Sequence, residues 1–255
     1  MATDSLAAVV AASDVVLFDF DGPICDVFAG MPAPGVAKEL SEIVARQAPW
    51  LANDAEATDD PMEVHRLSVT GGKSLLEVVE EALTAAEVAA VAVSGSPIAG
   101  AVRSLKAAHS AGRDVAVVSN NSAECVRAFL ALHDLEALVD EVIGRPSLNP
   151  SLMKPSPYPL LLATTAFSAA PARAVLVGDS VTDVEAAKAA GMGIIGFANK
   201  PPKQSTLPEA GADVVITSMD ALADALVSQS RQSGQPRSLD GQPVAKPSGN
   251  PTRHD

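Results

Sequence analysis

The chain has 255 residues, 47% of them hydrophobic and 19% charged, which are the proportions of a folded protein with a substantial core in one large or two modest domains. A formal net charge of −13 argues against a polyanionic partner, and an aromatic content of 3% leaves little for stacking on bases, so no nucleic acid is expected as a partner. Two cysteines, Cys25 and Cys125, make neither a zinc cluster nor a disulfide framework, and two reduced thiols fit a cytoplasmic protein.

In chain order, the apolar patch Leu6–Ala12 lacks a basic flank and lies between Asp4 and Asp14, so it predicts a capped surface helix and not a signal peptide. No apolar run approaches the roughly 18 residues of a membrane span, and no membrane association is expected. Val15–Phe20 then runs straight into Asp21-Gly22-Pro23, the pattern of a buried parallel strand broken at its carboxyl edge. Side chains two apart on a strand point the same way, so Asp19 and Asp21 would project together where it ends. Two unpaired carboxylates there are costly to desolvate unless a cation or a reaction needs them. Asp before Gly is also ordinary turn chemistry. A calcium loop would place a bidentate acid at its twelfth position, which here is Gly30, and that reading fails. Cys25 has no His near it in sequence and is read as a packing residue.

Residues 27–96 differ in character. Val36–Ala48 and Ser74–Ala92 carry helical periodicity, Pro61–Leu67 opens a shorter helix at Pro61, and no strand pattern interrupts them. From Pro97 on, helix and strand alternate. Helices are expected over Pro97–Ala111, Ala123–Leu132, Pro157–Phe167, Val184–Ala190 and Met219–Ser228. Strands are expected over Asp114–Ser119, Glu141–Gly144, Ala174–Gly178, Gly193–Phe197 and Asp213–Ile216, with a loop before the last. This is an α/β chain with a parallel sheet wound on both faces, interrupted after its first strand by an all-helical insertion. The expected organisation is a core of residues 1–26 and 97–228, an insertion of 27–96, and a tail over 229–255 whose Gln, Ser, Gly, Pro and Arg predict disorder.

Ligands of such sheets sit at the carboxyl ends of the strands, and three more polar clusters fall there. Ser119-Asn120-Asn121 follows one strand, Asp179-Ser180-Val181-Thr182-Asp183 follows another, and Lys154-Pro155-Ser156-Pro157 precedes a helix. Each has an ordinary account as a helix cap or an exposed cation. Together with Asp19 and Asp21 they place acids, a hydroxyl and one amine along one edge.

With the motifs DFDG (and Asp26 downstream), VVSNN, KPSP and VGDSVTDVEAAKAAGM, the chain from about Val15 to Leu226 resembles the haloacid dehalogenase-like hydrolase superfamily. The likeness is to its branch of small phosphatases similar to phosphoglycolate phosphatase and β-phosphoglucomutase. The resemblance implies a Rossmann-like core with a helical cap subdomain inserted after the first motif, and a magnesium cofactor. It implies Asp19 as nucleophile, Asp21 as general acid and base, Ser119 as phosphate-binding hydroxyl and Lys154 as charge-neutralising amine. Asp179 would be a metal ligand, with Asp183 supporting the metal and Asp21 contributing its backbone carbonyl. Pro23 stands where the first motif usually has Thr, and Tyr158 where an acid often follows Lys-Pro-x-Pro; neither removes a catalytic group.

The chemistry makes sense of these residues independently, because a carboxylate attacking an anionic ester must be shielded and magnesium prefers oxygen ligands. Backbone N–H groups at Gly22 and Asn120 are expected to add phosphate contacts. The acid at Asp21 argues against a dehalogenase, which needs no leaving-group proton. The expected activity is a magnesium-dependent phosphatase acting on a small phosphorylated metabolite, as a monomer or homodimer. A phosphomutase of the same superfamily and a non-catalytic interaction protein on the same scaffold are the alternatives. Discrimination is expected from the insertion, whose candidates are Arg46, His65, Arg66 and Lys73, with Arg66 and Lys73 first.

Overall fold

A computed structural model describes residues 2–233. Six strands, β1 (Val15–Phe18), β2 (Asp114–Val118), β3 (Glu141–Ile143), β4 (Ala174–Gly178), β5 (Gly193–Phe197) and β6 (Val214–Ile216), form one wholly parallel sheet in the order β3-β2-β1-β4-β5-β6. β1 and β4 are paired neighbours in the sheet although three strands apart in sequence. They mark the point where the winding reverses, and there a crevice opens beyond the carboxyl ends.

Helices cover both faces, and strand alternation assigns each residue to one of them. Val16 and Phe18 of β1 pack with α1 (Ala2–Ala12), α6 (Ala101–Ser110), α7 (Ala123–Leu132) and α11 (Met219–Ser233). Val15 and Leu17 face α8 (Tyr158–Ala166), α9 (Val181–Ala190) and α10 (Lys203–Ala210). Val15, Val16, Leu17 and Phe18 are all fully buried, which is why the strand is a continuous apolar run. The N-terminal helix lies on the surface, as expected, and packs one face on this core through Leu6 and Val10, both buried.

Between β1 and α6 lies the helical insertion: α2 (Ala33–Gln47), α3 (Ala52–Glu56), α4 (Pro61–Ser68) and α5 (Lys73–Val91). It has its own apolar core, made by Val36, Leu40 and Val44 of α2 against Leu75, Val79 and Leu83 of α5 and Val64 of α4. The four-residue spacing on α2 and α5 is the stripe that made the insertion legible. Asp60 caps α4 by accepting a 2.8 Å hydrogen bond from Met62 N, with Pro61 in the first turn. The two chain segments that join insertion and core run side by side, and a Cβ on Gly30 would lie 2.2 Å from the Val93 carbonyl oxygen, so only glycine fits.

Three expectations are corrected. Residues 203–210 form helix α10 rather than loop; Pro201-Pro202 before it and Pro208 within it disguise an eight-residue helix whose one buried residue is Leu207. The last helix continues five residues past Ser228, to Ser233, where a tail was expected; the rest of that expected tail, 234–255, lies outside the described residues. Helix α9 begins three residues early because Ser180 and Asp183 form a reciprocal capping box. Among the described residues, no helix is long and apolar enough to cross a membrane.

Candidate active site

β1 ends at Phe18, one residue before the first acid, although Asp19 N still donates to Val177 O of β4 at 2.8 Å. The chain then turns instead of extending. Ile24 N and Cys25 N both donate to Phe20 O, and Gly22 N donates to Cys25 O at 2.7 Å. Asp19 and Asp21 therefore reach the same cleft through this turn and not through strand alternation. Gly22 sits at φ +105°, and a Cβ there would lie 2.2 Å from Asp179 Oδ2, so the turn needs glycine twice over.

The cleft has a volume of about 280 Å³ and lies at the carboxyl ends of β1, β2 and β4, under the insertion. Asp19, Asp21, Ser119, Asn120, Lys154, Asp179 and Asp183 all line it. Lys154 is the hub. Its Nζ lies 2.8 Å from Asp19 Oδ1, 2.6 Å from Asp183 Oδ1 and 3.1 Å from Val118 O, with the side chain 2% exposed. Burial alone would lower its pKa, but Asp183 and Asp19 outweigh that and hold the ammonium protonated, above its usual range. Asn120 fixes the Lys154 backbone from both sides, Oδ1 accepting from Lys154 N at 2.9 Å and Nδ2 donating to Lys154 O at 3.1 Å. Ser119 Oγ donates to Asn121 Oδ1 at 3.1 Å and accepts from Asn121 N at 3.0 Å.

The carboxylates have distinct surroundings. Burial, together with Asp183, pushes Asp19 well above the usual carboxylate range despite Lys154. Asp183 goes the other way. Burial opposes its ionisation, but Lys154 and the Ser180 hydroxyl and N–H hold it below that range. Its Oδ2 accepts from Asp179 N, Ser180 N and Ser180 Oγ, so it ties the loop after β4 to the lysine. Asp21 accepts from Val27 N at 3.0 Å, and burial pushes it up to about 6. Burial also raises Asp179, partly countered by Lys203, which bonds to its Oδ2, and by Asn199 at 2.9 Å.

Carboxylate oxygens of Asp19, Asp179 and Asp183 all lie within 4.8 Å of one another. Three buried acids with an all-oxygen donor set suit a hard divalent cation such as magnesium. The Asp21 carboxylate is not part of that group.

The expected phosphate-binding N–H of Gly22 is committed to Cys25 O, inside the turn. Neither first-choice basic residue of the insertion lines the cleft: Arg66 Nη1 bonds to Glu63 at 2.6 Å, and Lys73 is 80% exposed beside Glu77. Arg46 pairs with Glu42 at 4.0 Å, and His65 is buried with Nε2 2.6 Å from Glu80. What the insertion presents to the cleft is Ala33, Asp60, Pro61 and Met62, with Phe28 of the preceding connection. Cys25 is buried, and desolvation pushes its thiol up to about 12, so it is inert packing at neutral pH.

A second cluster went unnoticed in the sequence because its members are far apart in it. Arg145, in the loop after β3, donates to Glu87 at 2.7 Å, Glu80 at 2.9 Å, Thr84 at 3.1 Å and the Asn120 carbonyl at 3.1 Å. Glu87 also accepts from Asn121 Nδ2 at 3.1 Å and Ser122 N at 2.9 Å. This bracket fastens α5 to the Ser119–Asn121 loop.

The model of the haloacid dehalogenase-like hydrolase family matches residues 13–191. Phosphoglycolate phosphatase of Psychrobacter arcticus is 27% identical over 195 residues, 72% of this chain and 82% of that one. The plasmid phosphoglycolate phosphatase of Cupriavidus necator is 34% identical over 132 residues, 50% of this chain and 54% of that one. The chain thus spans only about half the length of this second relative. In architecture it is similar to a crystal structure of a predicted phosphoglycolate phosphatase from Haemophilus somnus (TM-score 0.60, 18% identity, 84% of this chain and 97% of that one). It is likewise similar to CbbY from Rhodobacter sphaeroides in complex with phosphate (TM-score 0.59, 21% identity, 82% and 95%). Four acids and a buried lysine at the point where the winding of this sheet reverses agree with that family match, and the chain belongs to the haloacid dehalogenase-like hydrolases, in the branch that holds the phosphoglycolate phosphatases.

Proposed function

We propose that this protein is a magnesium-dependent phosphatase that hydrolyses a small phosphorylated metabolite through an aspartyl-phosphate on Asp19. The observation that carries the proposal is the contrast between two acids on one turn. Asp19 is pinned against the buried Lys154 in the cleft, while Asp21 lines the same cleft with a hydrogen bond from Val27 N as its one side-chain partner among the described residues. Two carboxylates in unlike environments can divide the work of nucleophile and proton carrier.

The Asp19 carboxylate attacks the phosphorus, and the ester oxygen leaves with a proton from Asp21. Water then attacks the phosphorus of the acyl-phosphate, giving its proton to Asp21, and inorganic phosphate departs as Asp19 is restored. Lys154 and Ser119 offset charge on the phosphoryl oxygens, positioned by Asn120 and Asn121. Asp19, Asp179 and Asp183 would hold the divalent ion, which supplies positive charge between the attacking carboxylate and the anionic ester.

The test is p-nitrophenyl phosphate turnover in the presence of magnesium, with rapid acid quench of the protein. The expected result is chelator-sensitive turnover in the wild type and acid-stable, base-labile phosphate on the protein. Absence of both, with the protein folded, would overturn the proposal.

A further inference from the structure

On that phosphatase reading, the Asp19–Lys154 end of the cleft takes the phosphoryl group and the alcohol portion of the ester faces Phe28, Ala33, Asp60, Pro61 and Met62. What this second end lacks is positive charge. Among the described residues that line the cleft, the one cation is Lys154, and an ammonium has three N–H donors. That ammonium stands at the phosphoryl end, within 3.1 Å of Asp19, Asp183 and the Val118 carbonyl. Arg145, behind the loop, is committed to Glu80, Glu87, Thr84 and Asn120. Arg66 and Lys73 turn to Glu63 and Glu77, on the insertion's own surface.

Asp60 is the charge that is present. It is exposed, and Met62 N occupies its Oδ1 while Oδ2 has no partner among the described residues. A ligand whose alcohol portion carries a carboxylate or a second phosphate would bring an anion to a carboxylate, with no cationic side chain besides Lys154 among the described residues that line the cleft. Like charges brought together there are unfavourable, to a degree that solvent moderates because Asp60 is exposed. Hydroxyl or ammonium groups would instead find an acceptor in Asp60, with Phe28, Pro61 and Met62 covering the carbon chain.

We propose that this cleft selects phosphate monoesters of neutral or positively charged alcohols and discriminates against esters that carry a second anion, with Asp60 as the specificity-determining residue. Phosphoglycolate, the substrate in the names of the curated relatives, is then a poor substrate here. So is any bisphosphate of the kind a phosphomutase must retain.

The test compares kcat/KM of the magnesium-loaded enzyme for phosphoglycolate, glycerol 1-phosphate and phosphoethanolamine, with p-nitrophenyl phosphate as the measure of phosphatase activity itself. The last two natural esters should each exceed phosphoglycolate by at least about tenfold. D60N keeps a good helix cap, since Asn caps as well as Asp. It should raise the phosphoglycolate to glycerol 1-phosphate ratio several-fold and lower the relative rate on phosphoethanolamine. Aryl phosphate turnover with phosphoglycolate equal to or better than the other two would overturn this inference and leave the phosphatase reading standing. An unchanged ratio in D60N would remove Asp60 from the role. No turnover of any ester would overturn the phosphatase reading, and the inference with it.

Discussion

Two groups of buried charge sit on either side of the Ser119–Asn121 loop, and they are satisfied to different degrees. Around Arg145 both oxygens of Glu87 and both of Glu80 have partners, in Asn121, Ser122, His65 and the guanidinium itself. Around Lys154 four acids, Asp19, Asp21, Asp179 and Asp183, share two ammonium groups, those of Lys154 and Lys203. Asp19 engages Lys154 and Phe20 N with a single oxygen. Buried polar groups are ordinarily satisfied. The cluster whose carboxylate oxygens are all partnered, with His65 Nδ1 as its one orphan among the described residues, therefore belongs to the architecture, and the cluster with unmatched acids is where a ligand completes the charge.

Substitutions on the two sides should fail differently. Asp19→Asn should abolish turnover while leaving the melting temperature near that of wild type, because the amide is a poor nucleophile yet keeps its place; near-normal turnover would sink the mechanism. Arg145→Met should do the reverse of a clean catalytic lesion. It strands Glu87 and Glu80, and breaking such a buried pair costs about 3–5 kcal/mol, read as a shift of the urea midpoint; a change under 1 kcal/mol would mean the bracket is ornamental. Asp21→Asn should slow hydrolysis of the phospho-protein by ~10²–10⁴-fold, the usual worth of general acid–base help. Formation of that species from an aryl phosphate, whose leaving group needs no proton, should survive. If neither step slows, Asp21 is not the base.

The bracket also predicts a pH effect. Burial would raise Glu80, but hydrogen bonds from His65 and Arg145 outweigh it and hold it at about 2, against an ordinary 4.5. A depressed folded-state pKa contributes stability that is fully present above the unfolded value and lost as pH falls through the folded one. Wild type should therefore lose on the order of 2 kcal/mol between pH 4.5 and 2 from this group, allowing for its partial exposure. Glu80→Gln should lack that contribution at pH 7 already and show a flatter acid limb; parallel curves would contradict the assignment. Lys73→Ala should be the mildest, within about 0.5 kcal/mol in stability, as for other surface changes, because its side chain is 80% exposed.

The comparison also explains what could be read in the chain beforehand. Asp19, Ser119, Asn120 and Asp179 were legible because each follows a strand within two positions, and Asp21, Asp183 and Lys154 because they stand in short polar motifs beside a strand end or a helix start, so a one-dimensional pattern locates them. Glu80, Glu87 and Arg145 lie on α5 and on the loop after β3, and only tertiary packing joins them. Lys203 was hidden because the prolines around α10 conceal the helix that carries it to Asp179, and Asn199, two residues past β5, is a neutral side chain with no charge to mark it. The insertion's basic residues illustrate the opposite failure. Charge on a helix is visible in sequence, but its direction is not, and Arg66 and Lys73 point to acids of their own helices.

The most direct measurement is the melting temperature of the wild type and of Asp179→Asn, with and without magnesium. An ion that binds only the folded protein, at a concentration of 100 times its dissociation constant, stabilises by about 2.7 kcal/mol. If the acids around Lys154 are completed by a divalent cation, magnesium raises the wild-type melting temperature by several degrees and leaves Asp179→Asn nearly unmoved. An identical melting temperature with and without the ion in the wild type, or an equal rise in both proteins, would contradict the claim that this unsaturated cluster is the ligand site.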